Sequence, residues 1–359
     1  MSLKDFLLEE FHSSGPIRFD VFMRQCLYHP EFGYYTSGRV KIGREGDFFT
    51  NPCVHPIFGW TFAHFVLKRM EGEDEGKILP SQCDFVELGG GEGHFAADFL
   101  SYFLSHRTHQ EIRYFLVESS PALRERQQAF LKNIPNPINW VEGIEKLPEF
   151  SGILFSNEFF DALPIRRFVV QKGKVKEIFV VWKDDQWQEE LLDVQEIPEQ
   201  VQPALSSSSF CQVEYAPDLI PILSTLCSRM KAGIWITVDY GEEGNLWEIY
   251  PTGTIRGYKR HRMILDPLLF PGMMDITALV PFAEMKKILA RKKFSHIRIE
   301  PQATFLPRIG IFQVFQEQSF VAGGMEKVRL HLGLKTLLNP EGLGETMKVL
   351  YAEKQRRAK

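Results

Sequence analysis

The nine residues ELGGGEGHF, at 87–95, limit the folds open to this chain more than any other stretch. An apolar run, DFVEL at 84–88, ends in them, and a helical pattern over about 95–106 grows out of them. Gly89, Gly91 and Gly93 stand at alternate positions. Glycine is required where a backbone turns sharply or lies against a ligand with no Cβ between them. A strand that passes through such a turn straight into a helix opens a βαβ unit. Open parallel sheets bind their ligands at that carboxyl-terminal strand edge.

The alternation continues. RYFLVES (113–119) reads as a second strand, and PALRERQQAFLK as a helix with proline in its first turn. NPINWV (136–141), GILFSNE (152–158), GIWITVDYG (233–241) and HIRIEPQATF (296–305) supply strands three to six. Helices are expected over about 217–230, 277–291, 309–317 and 325–338. The apolar centre of GETMKVLYAEK predicts a last strand at about 346–353, inserted antiparallel between the fifth and sixth. The fold class is therefore α/β: a doubly wound, mostly parallel sheet with an antiparallel C-terminal strand.

Other segments break this rhythm. Residues 166–210 read as an antiparallel meander with turns at KGK and KDDQ, and 242–276 hold many turn residues with little periodicity. The first eighty residues predict helices near the start, over 19–27 and over 56–70, around the loop HPEFGYYTSGRVKIGREGDFFTNP. The charged run EGEDEGK (71–77) marks a boundary. The expected division is a helical cap and lid over 1–80 and a ligand-binding core over 81–359, with insertions at about 166–210 and 242–276.

Composition removes several function classes. With 44% apolar residues and 30 Phe the chain can bury a large core, and a net charge of −4 exerts no global pull on nucleic acid or anionic membrane. The five cysteines are scattered and form no CxxC pair, which argues against a disulfide framework or a zinc site. No apolar window approaches the length of a transmembrane helix. Asp5, Glu9 and Glu10 are unlike a secretory signal or an Arg-rich transit peptide. These features predict a cytoplasmic protein with no bound metal and no membrane insertion.

The glycine turn points to a cofactor. A pyrophosphate fingerprint needs G-x-G-x-x-G, but its last position is His94. The spacing GxGxG is that of methyltransferases, in which the turn faces the methionine part of S-adenosyl-L-methionine and no phosphate needs neutralising. Glu87 is placed to meet the amino group of that cofactor. Glu118 ends the second strand, 25 residues after Gly93, where a carboxylate accepts hydrogen bonds from both ribose hydroxyls. Gly143 and Ile144, after the third strand, fall where adenine would be held by backbone and apolar contact, with Glu142 as an alternative.

The fourth strand runs into SNEFFDALP, which gathers Asn157, Glu158 and Asp161 at the same edge. Two carboxylates three residues apart share one side of a helical turn and could grip a guanidinium. The competing reading is that they are acids favoured at a helix N-terminus. GTIRGYKRHR (253–262) sets Arg256 and His261 among other basic residues around Tyr258. Such a run could contact RNA but is ordinarily a solvated face.

Taken together, GYYTSGRVKIGREGDFFTNP, VELGGGEG, LVESSPALRERQ, SNEFFDALPIRRF, VDYG, GTIRGYKRHR, PGMMDITALVPF and GLGETMKVL resemble the MidA-like class I methyltransferases over nearly the whole length. The resemblance implies a Rossmann-like class I core with an added, mostly helical region. It implies S-adenosyl-L-methionine bound by Gly89, Gly91, Gly93 and Glu118. Asn157, Glu158 and Asp161 would line the acceptor pocket, closed by Asp47, Phe48 and Thr50. Apart from the resemblance, Tyr240, Arg256 and His261 are candidates for the substrate or lid side. Mitochondrial members of the family are associated with respiratory complex I assembly and protein arginine methylation, so a protein substrate is implied. The chain departs from the family at Cys53, usually Glu, and at Leu279 and Pro281, usually His and Asp. It departs again at Gly90 and Glu92, usually Pro and Arg. Three classes stay open: a protein methyltransferase, an RNA or small-molecule methyltransferase with the 256–262 patch exposed beside the cofactor cleft, and a cofactor-binding assembly factor without turnover.

Overall fold

Seven strands carry the central sheet of the computed structural model, which describes residues 2–38, 50–72, 79–207, 209–260 and 262–356. They are β1 (Gln82–Leu88), β2 (Glu111–Val117), β3 (Ile138–Val141), β4 (Phe150–Asn157), β5 (Met230–Glu242), β6 (Ser295–Pro301) and β7 (Met347–Lys354). Their order across the sheet is β6-β7-β5-β4-β1-β2-β3. Every pairing from β5 to β3 is parallel. Strand β7 runs antiparallel to both β5 and β6, as its apolar centre and position predict. In β1 every residue from Cys83 to Leu88 is buried, which is why it reads as a continuous apolar run rather than an alternating one.

Helices cover both faces. Ile57–Glu71, His94–His106, Ile311–Val321 and Gly324–Leu338 enclose one core with the sheet, and Leu219–Arg229 and Phe282–Arg291 enclose the other. In the first core Phe95, just past the glycine turn, stacks on Phe155 of β4 with centroids 4.1 Å apart. That contact fixes the helix after β1 against the strand beside it.

The N-terminal segment and the first insertion share a second sheet. Ile17–Arg18 pairs antiparallel with Lys174–Lys183, which also pairs with Arg166–Gln171 and Gln186–Asp193; Cys211–Tyr215 adds to the far side. The insertion therefore runs on to 215. Leu3, Leu7, Phe19 and Phe22 from the N-terminal helices pack with Ile178, Val180 and Trp187 in a core of their own.

Three expectations are corrected. The sixth strand stops at Pro301, and Gln302–Arg308 is helical; proline ends the ladder, and its φ of −59° leads into the helix. The helix expected from 277 starts at Phe282, because Asp275–Thr277 pairs with Arg256–Lys259 and Val280–Pro281 pairs with the end of β5. The stretch 242–276 is more ordered than its composition implies. Arg256–Lys259, Arg262–Ile264 and Asp275–Thr277 form a small antiparallel sheet. All five cysteines are free, and no helix among the described residues is long and apolar enough to cross a membrane.

The stacked Phe95–Phe155 pair yields a stability prediction. Phe155→Ala should lower the unfolding free energy by about 3–5 kcal/mol, the cost of a buried phenylalanine cavity. A urea titration should show a lower midpoint with an unchanged slope. A midpoint within error of the parent would show that this contact does not tie the helix to the sheet.

Candidate active site

At the carboxyl-terminal edge of the sheet the backbone ladder runs one residue past three of the strands. Gly89 N–H donates to the Val117 carbonyl, Glu118 N–H to that of Val141 and Glu158 N–H to that of Val238, each at 2.9 Å. The first residue of each functional loop is thus held by the neighbouring strand. Chain order reverses between β1 and β4, where Leu88 pairs with Ser156. A cavity of about 880 Å³ opens at this switch point, a volume suited to a small-molecule site.

Its floor is the glycine turn. Gly89, Gly91 and Gly93 have φ of 65°, 54° and 91°, the left-handed region that side chains disfavour. Gly89 and Gly91 line the cavity. Gly93 caps the following helix instead, and a Cβ on it would press on Leu131. Glu87 lines the cavity from below; it accepts the Tyr114 hydroxyl at 2.7 Å, and burial lifts its carboxyl to about 7.

Glu118 stands at the next strand end. One carboxylate oxygen accepts Ser120 N–H at 2.9 Å and the other accepts the Gln127 amide at 3.3 Å. Burial raises its carboxyl to about 6 despite these bonds. Gln127 also donates to the Gly91 carbonyl at 2.8 Å and accepts Trp140 Nε1 at 3.2 Å. One fully buried amide therefore joins the glycine turn to Glu118, a link that no spacing in the sequence announces. Gly143, Ile144 and Glu145 form the cavity wall beyond β3. Glu142, the alternative contact, lies at the surface paired with Lys146 and is not part of that wall.

The same cavity is also lined by Asn157, Glu158, Thr50, Cys53, Tyr28 and Tyr35. Glu158 sits in the left-handed region at φ 51°. Its Oε1 accepts Asn157 Nδ2 at 2.8 Å and Asn51 N–H at 3.3 Å. Burial, with Asp239 nearby, lifts its carboxyl to about 8. Thr50 donates its hydroxyl to Cys53 Sγ at 3.2 Å. The Tyr28 and Tyr35 rings stack at 5.6 Å, with the Tyr28 hydroxyl on the Ala162 carbonyl and that of Tyr35 on Asp275. Neither tyrosine is singled out by sequence; Tyr35 lies in the aromatic pair Tyr34–Tyr35 of the glycine-rich loop, whereas Tyr28 ends the helix Phe19–Tyr28 and carries no such signal.

The segment after β4 is an irregular turn rather than a helix, so neither the shared helical side nor a helix N-terminus applies to Glu158 and Asp161. Asp239 causes this. Its Oδ2 accepts Phe159 N–H at 3.1 Å and Phe160 N–H at 2.9 Å, folding the chain back over β5. Asp161 does not line the cavity; it is buried near Asp239 and Asp275, which with burial push its carboxyl well up. Tyr240 and Arg256 also lie off the cavity wall, with Arg256 donating to the Ile255 carbonyl at 2.6 Å. None of the described residues in 256–262 lines the cavity. Asp47, Phe48 and His261 lie outside the described residues. No cluster of metal-ligating side chains occurs among the described residues.

Comparison with known proteins agrees with this geometry. A family described as S-adenosyl-L-methionine-dependent methyltransferase matches residues 61–299. The protein arginine methyltransferase NDUFAF7, mitochondrial, of Homo sapiens is 30% identical, with 94% of this chain and 80% of that protein aligned. The Danio rerio protein of the same name is 29% identical over 96% of this chain and 85% of its own length. A Burkholderia thailandensis protein with S-adenosyl-homocysteine bound superposes with a TM-score of 0.86 at 26% identity, covering 99% of this chain and 92% of that one.

The relatives' names place them in mitochondria, which overturns the cytoplasmic expectation; that expectation rested on an N-terminus unlike a transit peptide, on the lack of an apolar span and on cysteine usage, which reports a reducing environment and not a compartment. The residues present fit the cofactor, with a left-handed turn bare of Cβ on the cavity wall, acceptor oxygens at Glu118 and a buried acid at Glu87. By family match, fold and site, this chain belongs to the S-adenosyl-L-methionine-dependent methyltransferases.

Proposed function

We propose that the chain methylates a protein side chain, with arginine as the acceptor. The observation that carries this reading is Glu158. It lines the same cavity as the glycine turn, and only its Oε1 meets donors among the described residues. The second oxygen is left for a ligand. A buried carboxylate backed by Asp161, Asp239 and Asp275 favours a cationic acceptor. The faces of Tyr28 and Tyr35 add an aromatic wall suited to a guanidinium. The names of the curated relatives support the same class.

The cofactor supplies a methyl group already activated on a sulfonium. The protein's part is to align the acceptor nitrogen and take its proton. Glu158 serves both ends: ionised, it pairs with the guanidinium and localises its charge, and a carboxyl titrating near neutrality is matched to accepting a proton. Residues 1–80 act as a cap in this reading, since Arg24, Tyr28, Tyr35 and Thr36 contribute to the cavity wall. Thr50 and Cys53 flank the acceptor end, and Cys53 leaves it one carboxylate poorer than the family pattern.

Two predictions follow from these roles. Glu158→Gln should keep its affinity for S-adenosylhomocysteine and lose methyl incorporation from radiolabelled cofactor. Asp161→Asn, off the cavity wall, should retain transfer within a few-fold. Full transfer by Glu158→Gln would remove the carboxylate from the mechanism.

Glu118→Ala should weaken cofactor binding on the order of 1–3 kcal/mol, about five- to 150-fold. The pH dependence has a definite sign. The ionised carboxylate offers both oxygens, so affinity should fall as pH drops through about 6, and Glu118→Gln should abolish that fall. Calorimetry from pH 5 to 8 checks both, and a parent affinity flat across that range would contradict the ribose role.

A further inference from the structure

We propose that Gln302, Asn51 and Asn157 form an oriented amide relay that fixes the carboxyl group of Glu158 and favours its ionised form. Gln302 and Asn51 are positioning residues in this scheme. The inference rests on the reading of Glu158 as the acceptor-side group.

The relay joins three distant parts of the chain. Gln302 opens the helix after β6, Asn51 opens the short helix Asn51–Val54, and Asn157 ends β4. Gln302 Nε2 donates to Asn51 Oδ1 at 3.1 Å, Asn51 Nδ2 to Asn157 Oδ1 at 3.0 Å, and Asn157 Nδ2 to Glu158 Oε1 at 2.8 Å. Gln302 and Asn51 are completely buried, so no water competes for these bonds.

The direction of the chain is forced from its far end. Gln302 Nε2 also donates to the Leu337 carbonyl at 3.0 Å, and a carbonyl only accepts. Gln302 must therefore present its NH₂ there, and that same group meets Asn51. Asn51 then turns its oxygen to Gln302 and its NH₂ to Asn157. Asn157 in turn can offer only its NH₂ to Glu158. Every amide dipole points at the carboxylate, and aligned hydrogen bonds strengthen one another in a low-dielectric site. The opposite orientation would set oxygen against oxygen at Leu337 and would need a protonated Glu158.

Glu158 needs such support. Its backbone is in the left-handed region, where a non-glycine residue is held only by its surroundings. Asp161, Asp239 and Asp275 oppose its charge, and Cys53, Tyr240 and Tyr258 are the other titratable groups that interact with it. Against these, the hydrogen bonds from Asn157 and Asn51 favour the ionised form.

The test uses the full chain with ¹³C at glutamate carboxyl carbons. The resonance absent from Glu158→Gln is that of Glu158, and its titration midpoint is read directly by NMR. Asn51→Leu and Gln302→Met are near-isosteric and neutral, and neither residue touches the cofactor side of the cavity; S-adenosylhomocysteine affinity is the control. Losing a bond to the charged form favours the neutral one, so both midpoints should move up, by about half a pH unit or more. An unchanged midpoint in either folded variant overturns the relay; if one variant fails to fold, the other decides by the same criterion. Methyl transfer by Glu158→Gln is scored separately. Retained transfer with shifted midpoints would leave the relay standing and sink the acceptor role instead.

Discussion

Three backbone hydrogen bonds, one residue beyond the ends of β1, β2 and β4, set the position of the three loops that open onto the cavity. Gly89, Glu118 and Glu158 each donate to a carbonyl of a neighbouring strand, so their Cα atoms belong to the rigid sheet although they begin loops. The loops can then be short. The glycine turn reaches its helix within a few residues, Glu118 leads into Pro121–Leu131, and Glu158 begins the turn that Asp239 folds back. In the proposed reading, a cofactor held between the first two would face an acceptor group held by the third, with no lever arm longer than a side chain.

Placing acids at such points works against folding. The carboxyl groups of Glu87 and Glu158 are lifted to about 7 and about 8 by burial. Asp161 and Asp239 are lifted as well, by burial and by mutual repulsion or nearby carboxylates. A raised acid keeps its proton in the folded chain at pH values where the unfolded chain has lost it. Stability therefore falls as pH rises from the ordinary carboxylate range through these folded values. The structure offsets this with hydrogen bonds rather than cations: Tyr114 for Glu87, Ser120 and Gln127 for Glu118, the amides of Asn157 and Asn51 for Glu158, and backbone N–H groups for Asp239. A ligand that brings positive charge to the site relieves the remaining repulsion.

What could be read from the sequence followed hydrophobic period and turn chemistry. Strand β1, its glycine turn and the next helix were legible because a buried parallel strand is apolar throughout and because glycines at alternate positions mark a turn that must stay open. Strand β7 was legible for the same reason, an apolar centre with nowhere to go but the sheet. The strands at 256–277 were not, since three or four residues cannot display a period of two. The shape of the turn after β4 is not legible locally, because Asp239, some eighty residues away, decides it. Spacing and resemblance put Asp161 in the pocket with Glu158, whereas the structure leaves it off the cavity wall. Gln127, Asn51 and Gln302 were invisible, because a buried amide resembles a surface one in a sequence and only tertiary contact shows its partners.

The central claim is that the glycine turn and Glu118 hold S-adenosyl-L-methionine and not a dinucleotide. Parallel calorimetric titrations of the unmodified chain with S-adenosylhomocysteine and with NADH test it most directly. One equivalent of S-adenosylhomocysteine should bind, and NADH should give no heat beyond dilution. Stoichiometric binding of NADH with none of S-adenosylhomocysteine would contradict it.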